Sequence, residues 1–367
     1  MAKTYFIKTY GCQMNKSDSE KVAGWYEAKG WKPAKRIEEA DEVVVNTCSV
    51  RQTAEDRVFG LINNLTKFKI QKLKCKMTMQ NLKLIKPKIV LTGCMLRYPI
   101  DYLREKLPQA DEFKKISEFS QGSKFVVHSS NIHAWVPIME GCNNFCSYCV
   151  VPYARGREKS RHFKEIVCEV EELVKRGYKE ITLLGQNVNS YGKELTNEKL
   201  KIKNNLDKKI TPFAKLLFVL NEILGLEKIS FITSNPWDLS DEIIEAMSLP
   251  KIDRYLHLPV QSGDDQVLKK MNRKYTAKDY LELVKKTRKR IPDIKIGTDI
   301  IVGFPGETEK AFQNTVKLCK RVGFTKAYIA MYSPRLQTAA YKLKDDIPYQ
   351  EKKRRWRILE DLINKSD

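Results

Sequence analysis

Gly141-Cys142-Asn143-Asn144-Phe145-Cys146-Ser147-Tyr148-Cys149 decides how most of this 367-residue chain is interpreted. Three cysteines stand within eight residues, with gaps of three and then two residues between them. One short loop can wrap three corners of an iron–sulfur cubane in this way, because thiolates are the usual ligands of such clusters and four of them close a site. Three thiolates leave one iron open, and an open iron can chelate S-adenosylmethionine and pass an electron to its sulfonium.

Zinc is the competing interpretation of the same cysteines. A structural zinc site prefers four ligands, often two cysteine pairs or cysteine with histidine. A fourth ligand would come from Cys168, His133 or His162, and none of these stands at a typical spacing. Three buried core cysteines within eight residues would be an improbable coincidence.

Strands and helices alternate on both sides of the motif, from Trp135 to about Pro334. Six strands are predicted at Val136–Glu140, Glu180–Leu184, Lys228–Ile232, Arg254–Leu258, Lys295–Val302 and Ala327–Tyr332. Helices are predicted between them at Phe163–Lys175, Phe213–Leu224, Ser240–Met247, Ala277–Arg290 and Glu309–Gly323. This α/β pattern predicts a partial (β/α)6 TIM-like barrel, in which chemistry sits at the carboxyl ends of the strands.

The N-terminal region also alternates strands and helices. Strands are predicted at Thr4–Thr9, Glu42–Asn46 and Lys88–Thr92, with helices at Ser17–Lys29 and Ala54–Leu65. Such alternation predicts a doubly wound parallel sheet covered by helices. Thr66–Pro87 is rich in lysine without Asp or Glu and is predicted as a basic loop or extended hairpin. We therefore expect an N-terminal domain over 1–118, a linker over 119–134, the barrel over 135–345 and a basic C-terminal helix over 346–367.

A second set of cysteines shares one setting. Cys12, Cys48 and Cys94 each lie just beyond the carboxyl end of a predicted strand. If those strands are parallel neighbours, the three thiols meet at the edge where open α/β folds bind ligands. The sequence therefore predicts a shared metal site, again with only three thiolates. Cys75, Cys168 and Cys319 have no such setting.

Composition limits the function classes. Lys and Arg number 67 against 45 Asp and Glu, and a net charge of +22 attracts polyanions such as nucleic acid. A solubility adaptation or a lysine-rich genome is the alternative. No apolar run approaches the roughly 20 residues that span a bilayer, and the N-terminus lacks the apolar core of a signal peptide. We therefore expect a cytoplasmic protein with no membrane association, whose nine cysteines serve metal or redox chemistry rather than disulfides.

Long motifs around both cysteine sets give the chain a resemblance to the radical-SAM methylthiotransferases, from Tyr5 to about Asn364. These motifs are Thr9-Tyr10-Gly11-Cys12-Gln13-Met14-Asn15, Asn46-Thr47-Cys48-Ser49-Val50-Arg51, Met139-Glu140-Gly141-Cys142, Cys149-Val150-Val151-Pro152-Tyr153, Arg155-Gly156-Arg157-Glu158, Leu184-Gly185-Gln186-Asn187-Val188-Asn189-Ser190-Tyr191-Gly192, His257-Leu258-Pro259-Val260-Gln261-Ser262-Gly263 and Gly303-Phe304-Pro305-Gly306-Glu307-Thr308. Gln13-Met14-Asn15 after Cys12 is similar to the MiaB-type enzymes that act on tRNA.

The resemblance implies two 4Fe–4S clusters and S-adenosylmethionine as cofactors. Cys142, Cys146 and Cys149 would be the catalytic trio that holds the radical-SAM cluster, and Cys12, Cys48 and Cys94 would hold an auxiliary cluster. Further cofactor contacts are expected from residues at or near predicted strand ends or within the cysteine loop, namely Tyr148, Gln186, Ser234, Gln261 and Asp299. Arg155 and Arg157 are expected at an anionic group of the substrate, because guanidinium pairs well with phosphate and carboxylate.

The implied reaction converts N6-isopentenyladenosine beside the anticodon to its 2-methylthio derivative. The implied partners are tRNA and an electron donor such as flavodoxin or ferredoxin. Two alternatives remain at this point: a methylthiotransferase for another nucleoside or a protein, and a zinc-bearing RNA-binding protein. Relatives usually carry a C-terminal RNA-binding β-barrel, and we expect none before the chain stops at Asp367.

Overall fold

The described part of the chain covers residues 2–50, 52–74, 87–119, 130–195 and 210–365 of a computed structural model. The chain divides into two units, Met1–Ser129 and Ser130–Asp367. In these ranges, every helix is too short or too polar to cross a lipid bilayer.

The first unit is a parallel sheet with helices on both sides. Its elements are β1 (Thr4–Thr9), α1 (Gln13–Ala28), β2 (Lys32–Pro33), β3 (Glu42–Thr47), α2 (Gln52–Lys74), β4 (Lys88–Gly93), α3 (Ile100–Lys106), β5 (Glu112–Phe113) and α4 (Ile116–Phe119). The strands are parallel and follow the order β2-β1-β3-β4-β5. This order reverses between β1 and β3, and a reversal of that kind marks the ligand crevice of open α/β folds.

Burial on both faces follows from the alternation of side chains along β3. Val43 and Val45 belong to the core cluster that contains Val58 of α2. Val44 belongs to the cluster on the other face, together with Val22 of α1. Because side chains in a strand alternate between faces, an unbroken valine run suits a sheet that is covered on both sides. The expected doubly wound sheet is confirmed.

Two helices of this unit are longer than the sequence pattern predicts. α1 begins at Gln13, directly after Cys12, rather than at Ser17. α2 continues to Lys74, so the prediction of a loop over Thr66–Lys74 is wrong. That stretch holds no Gly or Pro and contains four Lys, one Leu and one Gln, all of which favour a helix. The rest of the predicted basic loop, at 75–86, lies outside the described residues.

The second unit carries the expected β/α alternation. Its elements are β6 (His133–Pro137), β7 (Met139–Glu140), α5 (Val151–Arg155), β8 (Lys159–Ser160), α6 (Phe163–Lys175), β9 (Glu180–Leu184), α7 (Pro212–Asn221), β10 (Lys228–Phe231), α8 (Asp241–Met247), β11 (Tyr255–His257), α9 (Asp265–Lys270), α10 (Ala277–Arg290), β12 (Lys295–Val302), α11 (Glu309–Val322), β13 (Lys326–Met331) and α12 (Tyr349–Asn364). The predicted strand Val136–Glu140 is divided: β6 ends at Pro137, and β7 pairs antiparallel with β8.

Six parallel strands form an open barrel wall in chain order. β6, β9 and β10 make one run, and β11, β12 and β13 make another. A parallel bridge from Ile229 to Ile252 joins the two runs, and the Asp253 amide donates to the Ile229 carbonyl at 2.9 Å. The partial (β/α)6 barrel predicted from the sequence is therefore confirmed. Its strand carboxyl ends are the edge where a ligand is expected.

A buried ion pair fastens α12 to the barrel. Arg355 donates to the Glu307 carboxylate at 2.8 Å, and their side chains are only 5% and 1% exposed. Arg355 also donates to the Glu307 carbonyl at 2.8 Å, and the Gly303 amide donates to the same carboxylate at 2.7 Å. Burial raises the pKa of Glu307, so Arg355 is needed to hold this carboxyl in its charged form.

We expect Arg355→Met to lower the free energy of unfolding by about 3–5 kcal/mol, because it leaves a buried carboxylate without its cation. Urea denaturation of the full chain measures the change. Arg357→Met is the matched control, because Arg357 lies on the same helix and is exposed. If the two variants unfolded within about 0.5 kcal/mol of each other, the range of ordinary surface substitutions, the ion pair would not anchor α12.

Candidate functional site

The first cysteine set lies where the strand order of the N-terminal unit reverses. Cys12 follows β1 and is the N-cap residue of α1, Cys48 follows β3 directly, and Cys94 follows β4 directly. β1 and β4 both pair with β3, so the three cysteines share the carboxyl edge of three adjacent strands. Cys12 is exposed, whereas Cys48 and Cys94 are buried.

Two glycines allow these cysteine-bearing loops to approach one another. Gly11 has a φ of +136°, and a Cβ there would stand 3.0 Å from the Cβ of Cys48. Gly93 has a φ of +88°, and a Cβ there would stand 2.5 Å from the carbonyl oxygen of Thr47. Each glycine precedes one cysteine and contacts the strand end that carries Cys48. The structure therefore brings the backbones of Cys12, Cys48 and Cys94 together, as the strand pattern predicts.

Buried side-chain amides form a hydrogen-bond network at the carboxyl edge of this sheet. The Asn15 amide donates to Asn46 Oδ1 and to the Thr47 carbonyl, both at 3.0 Å. Asn46 returns a bond to the Asn15 carbonyl at 2.8 Å and another to Ser19 Oγ at 2.9 Å. The Cys12 thiol lies 3.4 Å from Asn15 Oδ1. These side chains were not predicted as site residues, although Asn15 and Asn46 stand within three residues of Cys12 and Cys48.

A second buried network supports Cys48 and Cys94 through the residues that follow them. The Arg97 guanidinium donates to Ser49 Oγ at 2.7 Å and pairs with Glu55 at 3.8 Å. Ser49 Oγ donates to the same Glu55 carboxylate, as does the Tyr98 hydroxyl. A buried charge is tolerated only when it is paired and hydrogen-bonded, and in this network Ser49, Glu55 and Arg97 satisfy one another.

The second cysteine set lies in one loop of the C-terminal unit, between β7 and α5. Cys142, Cys146 and Cys149 are each half-buried. The Cys142 amide donates to the Gly156 carbonyl at 3.1 Å, and the Gly141 amide donates to Gln186 Oε1. The middle of the loop is fastened by Ser147, whose amide donates to the Met271 carbonyl at 3.0 Å and whose hydroxyl donates to the Lys270 carbonyl at 2.8 Å.

Gly141 fixes the start of the cysteine loop. Its φ is +81°, and a Cβ there would overlap the carbonyl oxygen of Arg157. Only glycine avoids both the conformational penalty and the overlap.

We expect Gly141→Ala to displace Cys142 and to lower the iron bound by the purified protein by up to half. The left-handed backbone alone costs about 1–2 kcal/mol. Gly177→Ala is the matched control, because Gly177 has a φ of +93° but nothing within 4 Å of a Cβ. Iron analysis after anaerobic purification separates them: equal iron in the two variants would mean that the overlap at position 141 does not matter.

Burial favours the neutral thiol over the charged thiolate in this loop. It raises the pKa of Cys142 to about 11 and that of Cys149 to about 12. A bound metal reverses such a preference, because its positive charge stabilises the deprotonated ligand. One protein cation is within reach: Arg273 Nη1 stands 3.4 Å from the Cys146 sulfur. Arg273 was not predicted as a site residue.

The residues that the sequence predicts to contact S-adenosylmethionine or a cluster have different surroundings in the structure. Tyr148 packs against an apolar cluster that includes Phe304 and Tyr332, and burial raises its pKa well above the usual value. Gln186 holds the Gly141 amide. Asp299 is bonded to His257 Nε2 at 2.9 Å. The roles expected for these residues at a cofactor stay predictions.

The two arginines predicted at the substrate flank the cysteine loop. Arg155 has a side chain that is 6% exposed and pairs with Glu140 at 3.2 Å. The Arg157 guanidinium lies 4.3 Å from the ring centroid of Phe145. Their expected contact with an anionic group of the substrate likewise stays a prediction.

Orphaned polar atoms collect at the carboxyl ends of the barrel strands. Among the described residues, side-chain oxygens without a hydrogen-bond partner occur on buried residues that follow β9, β10 and β11, namely Asn187, Asn189, Ser234, Asn235 and Gln261. Buried polar atoms are nearly always satisfied, so a group of this kind offers contacts for water or a polar ligand. Ser234 and Gln261 were predicted here, and the three asparagines were not. This set fits the many polar groups of S-adenosylmethionine.

A single-ion site has no counterpart in the part of the chain that the structure describes. No three His, Cys, Asp or Glu side chains there converge as they would on one metal ion. Each trio supplies three thiolates, which is one fewer than a closed zinc site prefers and the number that leaves one iron of a cubane open.

Comparison with known proteins assigns both units. The model of the radical SAM superfamily matches residues 136–319, and that of "Uncharacterized protein family UPF0004" matches residues 4–114. A solved structure of the radical S-adenosylmethionine methyltransferase TsrM from Kitasatospora setae, with cobalamin and a [4Fe-4S] cluster bound, shares the fold. Its TM-score is 0.59 at 14% identity, over 90% of this chain and 75% of that one.

Curated relatives match over nearly the whole chain. The tRNA-2-methylthio-N(6)-dimethylallyladenosine synthase of Thermoanaerobacter sp. (strain X514) is 47% identical over 98% of this chain and 78% of its own length. The protein of the same name from Clostridium perfringens (strain SM101 / Type A) is 43% identical over 99% of this chain and 82% of its own length. The chain therefore belongs to the radical-SAM superfamily and, within it, to the family of the tRNA-2-methylthio-N6-dimethylallyladenosine synthases.

Proposed function

We propose that this chain is a radical-SAM tRNA methylthiotransferase, which converts N6-isopentenyladenosine next to the anticodon to its 2-methylthio derivative. The observation that carries the proposal is the 47% identity to a synthase of that name, over 98% of the chain. Two cysteine trios at the ligand-binding edges of two α/β units support it.

Cys142, Cys146 and Cys149 are the residues that would hold the radical-SAM cluster. When bound with S-adenosylmethionine, such a cluster supplies a carbon radical, which is needed because the C2–H bond of adenine is too inert for acid–base attack. Three protein thiolates are the number that leaves one iron for the amino and carboxylate groups of S-adenosylmethionine.

The polar edge of the barrel would bind and orient S-adenosylmethionine. Asn187, Ser234 and Gln261 present buried oxygens that have no hydrogen-bond partner in the part of the chain that the structure describes. Asn187 is held in place through its amide nitrogen, which donates to Asp238 at 2.7 Å and leaves Oδ1 for a ligand. A buried site of this kind also excludes water, which protects a reactive radical from side reactions.

Cys12, Cys48 and Cys94 would hold the auxiliary cluster, the sulfur-bearing group in this family. Hydrogen bonds of the Asn15 and Asn46 amides, to each other and to the Thr47 carbonyl, hold the segments that carry Cys12 and Cys48 together. Hydrogen bonds that orient metal-binding residues in this way typically contribute 10–100-fold to metal affinity or activity.

The remaining partners follow from charge and chemistry. A net charge of +22 favours binding of the tRNA phosphate backbone. The cluster reduction needs a low-potential electron donor such as flavodoxin or ferredoxin. Both requirements point to the cytoplasm as the site of action.

Nucleoside analysis of tRNA tests this function. A strain that lacks the gene should accumulate N6-isopentenyladenosine and lose the 2-methylthio derivative, as measured by mass spectrometry of digested tRNA. The unaltered chain should restore the product, and the C146A variant should not. Unchanged tRNA in the deletion strain would overturn the proposed substrate.

A further inference from the structure

The turn after α9 reaches the cysteine loop at two points. Asn272 has a φ of +58°, and its amide donates to the Phe145 carbonyl at 3.0 Å. The next residue, Arg273, places Nη1 at 3.4 Å from the sulfur of Cys146. Because the Arg273 amide donates to the Leu268 carbonyl at 2.9 Å, the turn itself is fixed to α9.

The guanidinium of Arg273 is held by hydrogen bonds and lies beside two aromatic rings. Nη2 donates to the Pro259 carbonyl at 3.0 Å, and Nε donates to the Tyr275 hydroxyl at 3.1 Å. Its Cζ lies 4.6 Å from the ring centroid of Trp237 and 5.1 Å from that of Tyr275. Nε and Nη2 are engaged by the Tyr275 hydroxyl and the Pro259 carbonyl, and Nη1 is the nitrogen that faces the Cys146 sulfur.

The charge of Arg273 is not cancelled by a neighbouring acid. In the described ranges, its polar contacts are the sulfur, the carbonyl and the hydroxyl named above, and no carboxylate pairs with it. A purely structural arginine would need only the carbonyl and the hydroxyl. A cation with a free donor aimed at a ligand sulfur instead suits a group that gains negative charge.

We propose that Arg273 is a positioning residue that fixes the sulfur of Cys146 and raises the reduction potential of the cluster held by the Cys142–Cys149 loop. The inference rests on the proposed function, which assigns a cluster to these cysteines. Hydrogen bonds to the sulfurs and nearby charge set the potential of an iron–sulfur cluster. A cationic donor stabilises the reduced form, which carries one more electron, over the oxidised form.

An EPR-monitored redox titration with dithionite tests this role on the full chain. Cys12, Cys48 and Cys94 are replaced by alanine in the parent, so that one cluster remains. Arg273→Met, Arg273→Gln and Arg273→Lys are then compared with that parent. Arg288→Met is the matched control, because Arg288 is also a half-buried arginine that donates to backbone carbonyls, those of Val322 and Gly323.

We expect R273M to lower the ratio of reduced to oxidised cluster at a fixed potential about tenfold, which is about 59 mV for a one-electron couple. R273Q keeps a donor without the charge and R273K keeps the charge without the planar fork, so both should fall between R273M and the parent. R288M should match the parent.

Other results would contradict either the role of Arg273 or the assignment of a cluster to Cys142, Cys146 and Cys149. Any variant at position 273 that binds iron with the parent's midpoint would overturn the tuning role. Failure of all three to bind iron while R288M binds it would also overturn it, since Arg273 would then build the site rather than tune it. A parent without iron would instead refute the cluster assignment, which separates the two failures.

Discussion

Replacing Cys146 by alanine is expected to abolish cleavage of S-adenosylmethionine and to halve the bound iron. Two clusters of four irons give about eight iron atoms per chain, and loss of one leaves about four. A cluster that has lost one of its three thiolates has too few protein ligands to stay bound. Without that cluster, no electron reaches the sulfonium of S-adenosylmethionine. Iron analysis and the yield of 5′-deoxyadenosine measure both effects.

Cys168→Ala is the control for that variant. Cys168 is exposed on α6 and has no place in either trio. The Cys168→Ala variant should bind as much iron as the unaltered chain and cleave S-adenosylmethionine at the same rate. If C146A kept all its iron or still formed 5′-deoxyadenosine, the Cys142–Cys149 loop would not be the radical-SAM site.

Replacing Cys48 by alanine is expected to uncouple the two halves of the reaction. The iron should again fall by about half, but 5′-deoxyadenosine should still form, because Cys142, Cys146 and Cys149 are untouched. The 2-methylthio product should disappear, since the sulfur-bearing group is held at the other trio. Assaying both products in the same anaerobic reaction separates this outcome from simple unfolding.

Cys319→Ala is the matched control for Cys48. Cys319 is buried to a similar degree, at 2% exposure against 5% for Cys48, but lies in α11 away from both trios. The Cys319→Ala variant should bind as much iron as the unaltered chain and form both 5′-deoxyadenosine and the 2-methylthio product. If C48A made the methylthio product at the rate of C319A, the auxiliary role of Cys12, Cys48 and Cys94 would be refuted.

The placement of both cysteine sets could be predicted from the sequence because strand ends are local features. A valine run such as Val43–Val45 marks a strand buried on two faces, and the cysteine that follows must lie at its carboxyl edge. Parallel pairing then brings Cys48 next to Cys12 and Cys94 without any knowledge of side-chain contacts.

The residues that support these cysteines could not be predicted in the same way. Arg273 meets Cys146 across 127 positions of sequence, and Asn15 meets Asn46 across 31. Neither pair belongs to a periodic pattern. Arg273 stands in an ordinary polar turn after a helix, where a solvated side chain is the usual expectation. Only the folded chain shows that its guanidinium is enclosed by Trp237, Tyr275 and a cysteine sulfur.

The predicted ends of helices and strands are wrong where two sequence features favour different structures. The charge of the lysine-rich stretch after Leu65 predicts a loop, whereas helix propensity carries α2 to Lys74. The apolar pattern of Val136–Glu140 predicts one strand. Pro137 ends β6 there, and Met139–Glu140 turns to pair with β8 instead. That short pair leads directly into Gly141 and the cysteine loop.

An anaerobic assay with tRNA isolated from a strain that lacks the methylthio modification gives the decisive result. The reconstituted chain is supplied with S-adenosylmethionine and dithionite, and the digested tRNA is analysed by mass spectrometry. We predict conversion of N6-isopentenyladenosine to its 2-methylthio derivative, with 5′-deoxyadenosine formed alongside. A chain that holds both clusters and cleaves S-adenosylmethionine, yet leaves that nucleoside unchanged, would contradict the assignment of its substrate.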